Sequence, residues 1–170
     1  MSTVSEVIAL CRTYGPMLRV PDGVYGPRVM AAIAGNESSY GENTKPRYEK
    51  AYDFGGAYAG NLPQSELLKA WGSKAAYSYG PWQILPCNAK GFTPDELATD
   101  DDKCAQAFVG FFNRYIIGHC HADTLQQILE AFNSGHIVRS GGDIAPGVQR
   151  YISDGIAKYH APPMPLTVTA

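Results

Sequence analysis

"VMAAIAGNESSYGE", Val29 to Glu42, is an apolar run that closes on a carboxylate and two hydroxyls. At helical spacing Met30, Ile33, Ala34 and Glu37 share one face. Such a stripe belongs against a core, where an ionisable group is costly unless it has partners. The segment before it, "PDGVYG", reads as a turn, and Pro27 is placed to open the helix that ends near Glu37.

Helical patterns continue on both sides. "SEVIALCRTYG" carries Ile8, Leu10, Cys11 and Tyr14 before a Gly15-Pro16 stop. Gly41 to Tyr77 is richer in Gly, Pro and aromatics, which predicts a long loop or short hairpin, followed by a short helix in "LPQSELLKAWG" that ends at Gly72. "TPDELA" is a capping-box pattern with Thr93 as N-cap and Glu96 three residues on. "DDKCAQAFVGFFNRYIIG" sets Ala105, Phe108, Phe112, Tyr115 and Ile116 at helical spacing, a buried central helix. "ADTLQQILEAFNSG" is another, capped by Asp123 or Thr124 and stopped by Gly135. "APGVQRYISDGIAKY" is the last, and the Pro-rich 161–170 tail is expected to run extended over the surface. The expectation is one mainly α domain over 1–170, with a small irregular or β-hairpin segment.

Composition narrows the function classes. The 170 residues are 45% hydrophobic and 18% charged, a globular balance, and the net charge of -2 lacks the basic stripe of a nucleic-acid binder. No apolar stretch approaches the roughly 20 residues needed to span a bilayer, so no membrane insertion is expected. "MSTVSEVIAL" has none of the marks of a signal peptide. Cys11, Cys87, Cys104 and Cys120 form no CxxC pair and are expected as buried thiols or as one or two disulfides. Cys104 with "HCH" at 119–121 lacks the paired short spacings of structural zinc. Asp100, Asp101 and Asp102 precede a helix, where acids serve as caps and favour the dipole, so calcium is not expected either. No metal and no cofactor enter the reading.

Four short segments carry polar groups of possible chemistry: "NESS" (36–39), "SYGPWQI" (78–84), "AFNSG" (131–135) and "QRYI" (149–152). Singly each has an ordinary structural explanation. Together and in this order, E-S, then G-x-x-Q-I, then A-F-N-x-G, then a late Tyr, they resemble the soluble lytic transglycosylase and goose-type lysozyme family. Its usual forms are E-S, G-L-M-Q and A-Y-N-A-G, and the resemblance runs over 29–159.

The resemblance implies a lysozyme-like α+β fold and cleavage of the β-1,4 bond between N-acetylmuramic acid and N-acetylglucosamine in peptidoglycan. Glu37 would be the general acid. Ser38 and Ser78 match family serines near that acid. Gln83 and Asn133 would bind sugar hydroxyls or N-acetyl groups, and Tyr151 matches a tyrosine whose hydroxyl lies by the acid. Trp82, Tyr79 and Phe132 are candidate sugar-packing walls, with Phe132 equally suited to the core. Independently of the family, burial at a helix C-terminus disfavours the Glu37 anion, as a general acid at neutral pH requires.

Departures from the pattern bear on the outcome. Phe132 stands where the family has Tyr, Pro81-Trp82 replaces Leu-Met, and the interval from Glu37 to Gly80 is longer than usual. Its "KPRYEKAYDFGG" is similar to segments of phage and endolysin-type muramidases. A lytic transglycosylase needs Glu37 alone, whereas an inverting hydrolase needs a second carboxylate to activate water. Glu49 and Asp53 in the inserted segment are the candidates, which tilts the expectation slightly to hydrolysis, although Glu49 could instead pair with Arg47 or Lys50. Chitin cleavage and a non-catalytic wall-binding or virion structural role are the other readings. A monomeric wall-acting protein is expected, either a phage endolysin or virion-associated lysin, or a secreted enzyme whose signal has been removed.

Overall fold

The computed structural model of the chain describes residues 2–138 and 142–166. These residues form α1 (Val4–Tyr14), α2 (Gly26–Ser38), β1 (Arg47–Tyr48), α3 (Gln64–Trp71), β2 (Tyr77–Ser78), α4 (Pro94–Thr99), α5 (Asp101–Phe111), α6 (Leu125–Ser134) and α7 (Pro146–His160). The architecture is mainly helical, with β1 and β2 paired antiparallel in register Arg47 with Ser78 and Tyr48 with Tyr77. The expected mainly α fold with a small β element is what the chain adopts.

Helix α2 is central. Val29 to Ala34 are buried on every side rather than along one stripe, because α1 and α7 both pack against it. Asn36 and Lys158 fix α7 there: the Asn36 amide donates to the Tyr151 carbonyl at 2.9 Å and Lys158 Nζ donates to Asn36 Oδ1 at 2.8 Å. Gly155 lets α7 lie close to both α6 and α2, since a Cβ there would lie 2.8 Å from a Leu129 methyl of α6 and 3.1 Å from Asn36 Nδ2.

The loop after β2 is pinned to α2 at two points. Ser38 Oγ donates to the Pro81 carbonyl at 2.8 Å, and the Trp82 indole N–H donates to the Met30 carbonyl at 2.9 Å. Trp82 is wholly buried and packs on Phe108 at 5.6 Å between ring centroids. It is therefore a core residue and not a sugar-packing wall. Tyr79 is corrected likewise: it is buried, with its hydroxyl donating to the Lys74 carbonyl. Sequence alone could not separate these cases, because an aromatic beside a Gly-Pro turn serves either surface. Trp82→Ala is expected to cost about 3–5 kcal/mol, the usual loss for a large buried aromatic, and it also removes the tie between this loop and the Met30 carbonyl. Urea denaturation of the variant checks this, and a midpoint equal to that of the parent would contradict the buried placement.

Several local expectations are refined. Thr93 and Glu96 form the capping box, and Thr124 rather than Asp123 caps α6, with Gly135 left-handed after it. The Asp100 side chain caps α5 by accepting from the backbone N–H groups of Asp102 and Lys103. The long central helix is not continuous α-helix: it passes at Phe112 into a π-helical turn, Phe112–Ile117. Cys11, Cys87 and Cys104 are free thiols, so the disulfide alternative is not realised at these positions. The tail folds back instead of trailing: Arg12 donates to the Pro165 carbonyl and Leu166 is buried, while 167–170 lie outside the described residues.

Candidate functional site

The last turn of α2 delivers Glu37 into a cleft of about 690 Å³, within the size range of small-molecule sites. Its side chain is only 7% exposed. Tyr151, from the second turn of α7, donates its hydroxyl to Glu37 Oε1 at 2.8 Å. Arg47, from β1, reaches Oε2 with Nη1 at 3.3 Å and simultaneously binds Glu49 Oε1 with Nε at 2.7 Å. One guanidinium thus bridges two carboxylates on the same wall.

The balance at Glu37 has a defined sign. Burial raises its carboxyl above the ordinary range, and the negative Glu49 adds to this. The Tyr151 hydrogen bond and the Arg47 charge oppose the rise without cancelling it. Tyr151 itself is pushed well above the usual phenol range, first by burial and then by the Glu37 anion, so its hydroxyl remains a donor.

Glu37 therefore binds its proton more tightly in the folded chain than in the unfolded one. Its contribution to stability is fully present below the ordinary carboxyl range and is lost as pH rises through the elevated folded value. Any activity that needs protonated Glu37 falls over that same alkaline limb. Removing the opposing cation in Arg47→Met raises the carboxyl further, so the alkaline limb of log kcat/KM should move to higher pH. A pH–rate profile measures this. An unmoved or downward-moved limb would show that Arg47 does not tune Glu37.

Ser78 and Gln83 both line the cleft. Ser78 Oγ lies 3.0 Å from Gln83 Oε1 and 3.3 Å from Glu49 Oε1, and its single proton serves one at a time. Gln83 holds a positive φ of 46°, uncommon for a residue with a side chain, and its amide nitrogen donates to the Gly80 carbonyl. The pinning of Pro81 and Trp82 beneath supports that backbone strain.

The opposite walls are aromatic. Tyr52 and Tyr58 from the inserted segment lie 4.9 Å apart on one side. Phe111, Tyr115 and Phe132 form the other, with Phe111 and Tyr115 stacked at 5.4 Å. The Tyr115 hydroxyl donates to the Gly135 carbonyl and ties the π-helical turn to the end of α6. Asn133 is exposed at this lip.

The structure thus brings together Glu37, Glu49, Ser78, Gln83, Asn133 and Tyr151. It does not bring Asp53, Ser38, Trp82 or Tyr79 to the cleft. Ser38 is buried and serves the α2 end, where it also accepts from the Gly41 N–H at 2.8 Å. Asp53 is turned away and engaged: it accepts from the Tyr48 hydroxyl at 2.7 Å, from the Phe54 N–H and from the Ser73 hydroxyl. Those donors hold its carboxyl below the ordinary range, with the Tyr48 bond the largest cause. The Arg47–Glu49 pair weighed from sequence is present, but the contact of Arg47 with Glu37 is visible only in three dimensions. Tyr52, Tyr58 and Tyr115 are also cleft residues that the motifs do not mark; only the aromatic density of the inserted segment hints at the first two. No protein-family model, curated protein sequence or solved structure matches the chain.

Proposed function

We propose that the chain is a peptidoglycan-cleaving muramidase acting on the β-1,4 bond between N-acetylmuramic acid and N-acetylglucosamine. The observation that carries this reading is a desolvated Glu37, held by Tyr151 in an aromatic-walled cleft, with its carboxyl raised toward the range of a general acid. In this reading Glu37 protonates the glycosidic oxygen as the bond to the muramoyl C1 breaks. Flat apolar ring faces of the sugars pack on Tyr58, Phe132 and their neighbours, and Gln83 and Asn133 supply hydrogen bonds. Tyr151 fixes the orientation of the carboxyl. Glycoside cleavage by carboxyl groups needs no metal.

The preferred outcome is hydrolysis with inversion, Glu49 acting as the base for water. Two oxygens bound to one guanidinium are separated by at most two hydrogen bonds and the width of that group. That limit admits the roughly 6.5–9.5 Å spacing of inverting carboxylates. The alternative, lytic transglycosylation, is favoured by the engagement of Glu49 with Arg47, which would leave Glu37 to act alone and take the proton from the muramoyl O6. Mass spectrometry of the released muropeptides separates the two: reducing ends mean hydrolysis, and products lighter by one water are anhydro ends. Chitin oligomers serve as the control substrate, since their preferential cleavage would replace the muramidase reading with a chitinase one. Action at a bacterial wall, by a phage-derived or a secreted lysin, follows from this substrate.

A further inference from the structure

Beside the cleft lies a second groove of about 580 Å³, lined by Leu67 and Trp71 of α3 and by Pro86, Lys90, Phe92 and Arg114. Pro63 and Cys87 line both spaces, so one layer of side chains separates this groove from the cleft. We infer that the groove binds the acidic peptide branch of a muropeptide whose sugar occupies the cleft; this rests on the muramidase reading for the origin of the ligand.

Charge argues for the anionic partner. No Asp or Glu lines the groove, while two cations do. Lys90 is exposed and has no ion pair among the described residues. Arg114 donates to the carbonyls of Asn88 and Gly110, which orients its guanidinium without neutralising it. The acids on the adjoining elements are already engaged: Glu66 pairs with Lys69 and Asp95 with Lys74. An occupant with carboxylates therefore meets uncompensated positive charge, and its aliphatic parts meet Leu67, Trp71 and Phe92.

Geometry argues for a peptide attached to the glycan. An extended chain of four residues spans about 13 Å, enough to cross the Pro63–Cys87 wall from a sugar in the cleft. A free anion would need only the two cations. The apolar floor between them suits a short chain that alternates methyl groups with carboxylates.

The test uses isotope-labelled Glu37→Gln protein, which barely turns over substrate in this reading, titrated with three probes. These are a disaccharide tetrapeptide, the same disaccharide without its peptide, and the free tetrapeptide. The disaccharide tetrapeptide should move the Trp71 indole and Phe92 amide signals together with cleft signals, and the bare disaccharide should move cleft signals alone. Adding Lys90→Glu should weaken binding of the peptide-bearing probe by about fivefold, leave the bare disaccharide unaffected, and be rescued by Lys90→Arg. Groove signals that stay still, an equal loss for both probes, or undiminished binding of a tetrapeptide with amidated carboxyls would each overturn the assignment. If the free tetrapeptide moves the groove while the disaccharide leaves the cleft unmoved, the peptide site stands and the muramidase reading falls.

Discussion

Glu37→Gln is expected to lower the rate of peptidoglycan cleavage by about 10²–10⁴-fold, the usual contribution of a positioned general acid. The amide can still accept from Tyr151, and Arg47 keeps its bond to Glu49, so the fold should be undisturbed. Turbidity clearance of purified cell walls gives the rate, and a far-ultraviolet dichroism spectrum verifies the helices. A variant retaining more than about a tenth of the parent rate, against the loss expected of a general acid, would remove Glu37 from that role and with it the muramidase proposal. The expectation depends on burial: a solvated helix-end glutamate would be ionised at neutral pH and have no proton to give.

The second large effect is expected at Glu49 and not at Asp53. If Glu49 activates water, Glu49→Gln should reduce the yield of reducing-end products by about 10²-fold or more, while any anhydro products persist. Asp53→Asn should leave the rate within about twofold, since its carboxyl lies outside the cleft and the amide oxygen, in the Oδ1 position, can still accept from Phe54 and Ser73 while only the Tyr48 bond is lost, a surface change of the usually small kind. Product analysis by mass spectrometry reads both variants at once. An unchanged yield of reducing ends from Glu49→Gln would remove Glu49 as the base for water, and anhydro ends from the parent itself would transfer the reaction to the single-carboxyl mechanism.

Much of the helical frame is legible along the chain. The helical periodicity and the Thr, Pro and Gly punctuation mark the helices at Pro94–Thr99, Leu125–Ser134 and Pro146–His160, because capping and periodicity are local. The same periodicity predicts one unbroken central helix from Asp101 to Ile117, and there it fails. A π-helical turn begins at Phe112, where Phe111 and Tyr115 stack on one another and Phe111 meets Phe132 of α6 edge-on, contacts that no local rule encodes.

Sequence by itself determined which groups are available: a helix that ends on Glu37, an amide at Gln83, a hydroxyl at Tyr151 and acids in a long inserted segment. Those choices are covalent, and their order along the chain is what the family resemblance reads. Tertiary structure alone decided which of them meet. Trp82 went inward because its indole finds the Met30 carbonyl in the core, and Asp53 went outward because Tyr48 and Ser73 satisfy it there. Arg47 became the link between Glu37, at a helix end, and Glu49, in a loop, through the pairing of β1 with β2. Burial and long-range pairing set the electrostatics of the cleft, and neither is a property of any short stretch of sequence.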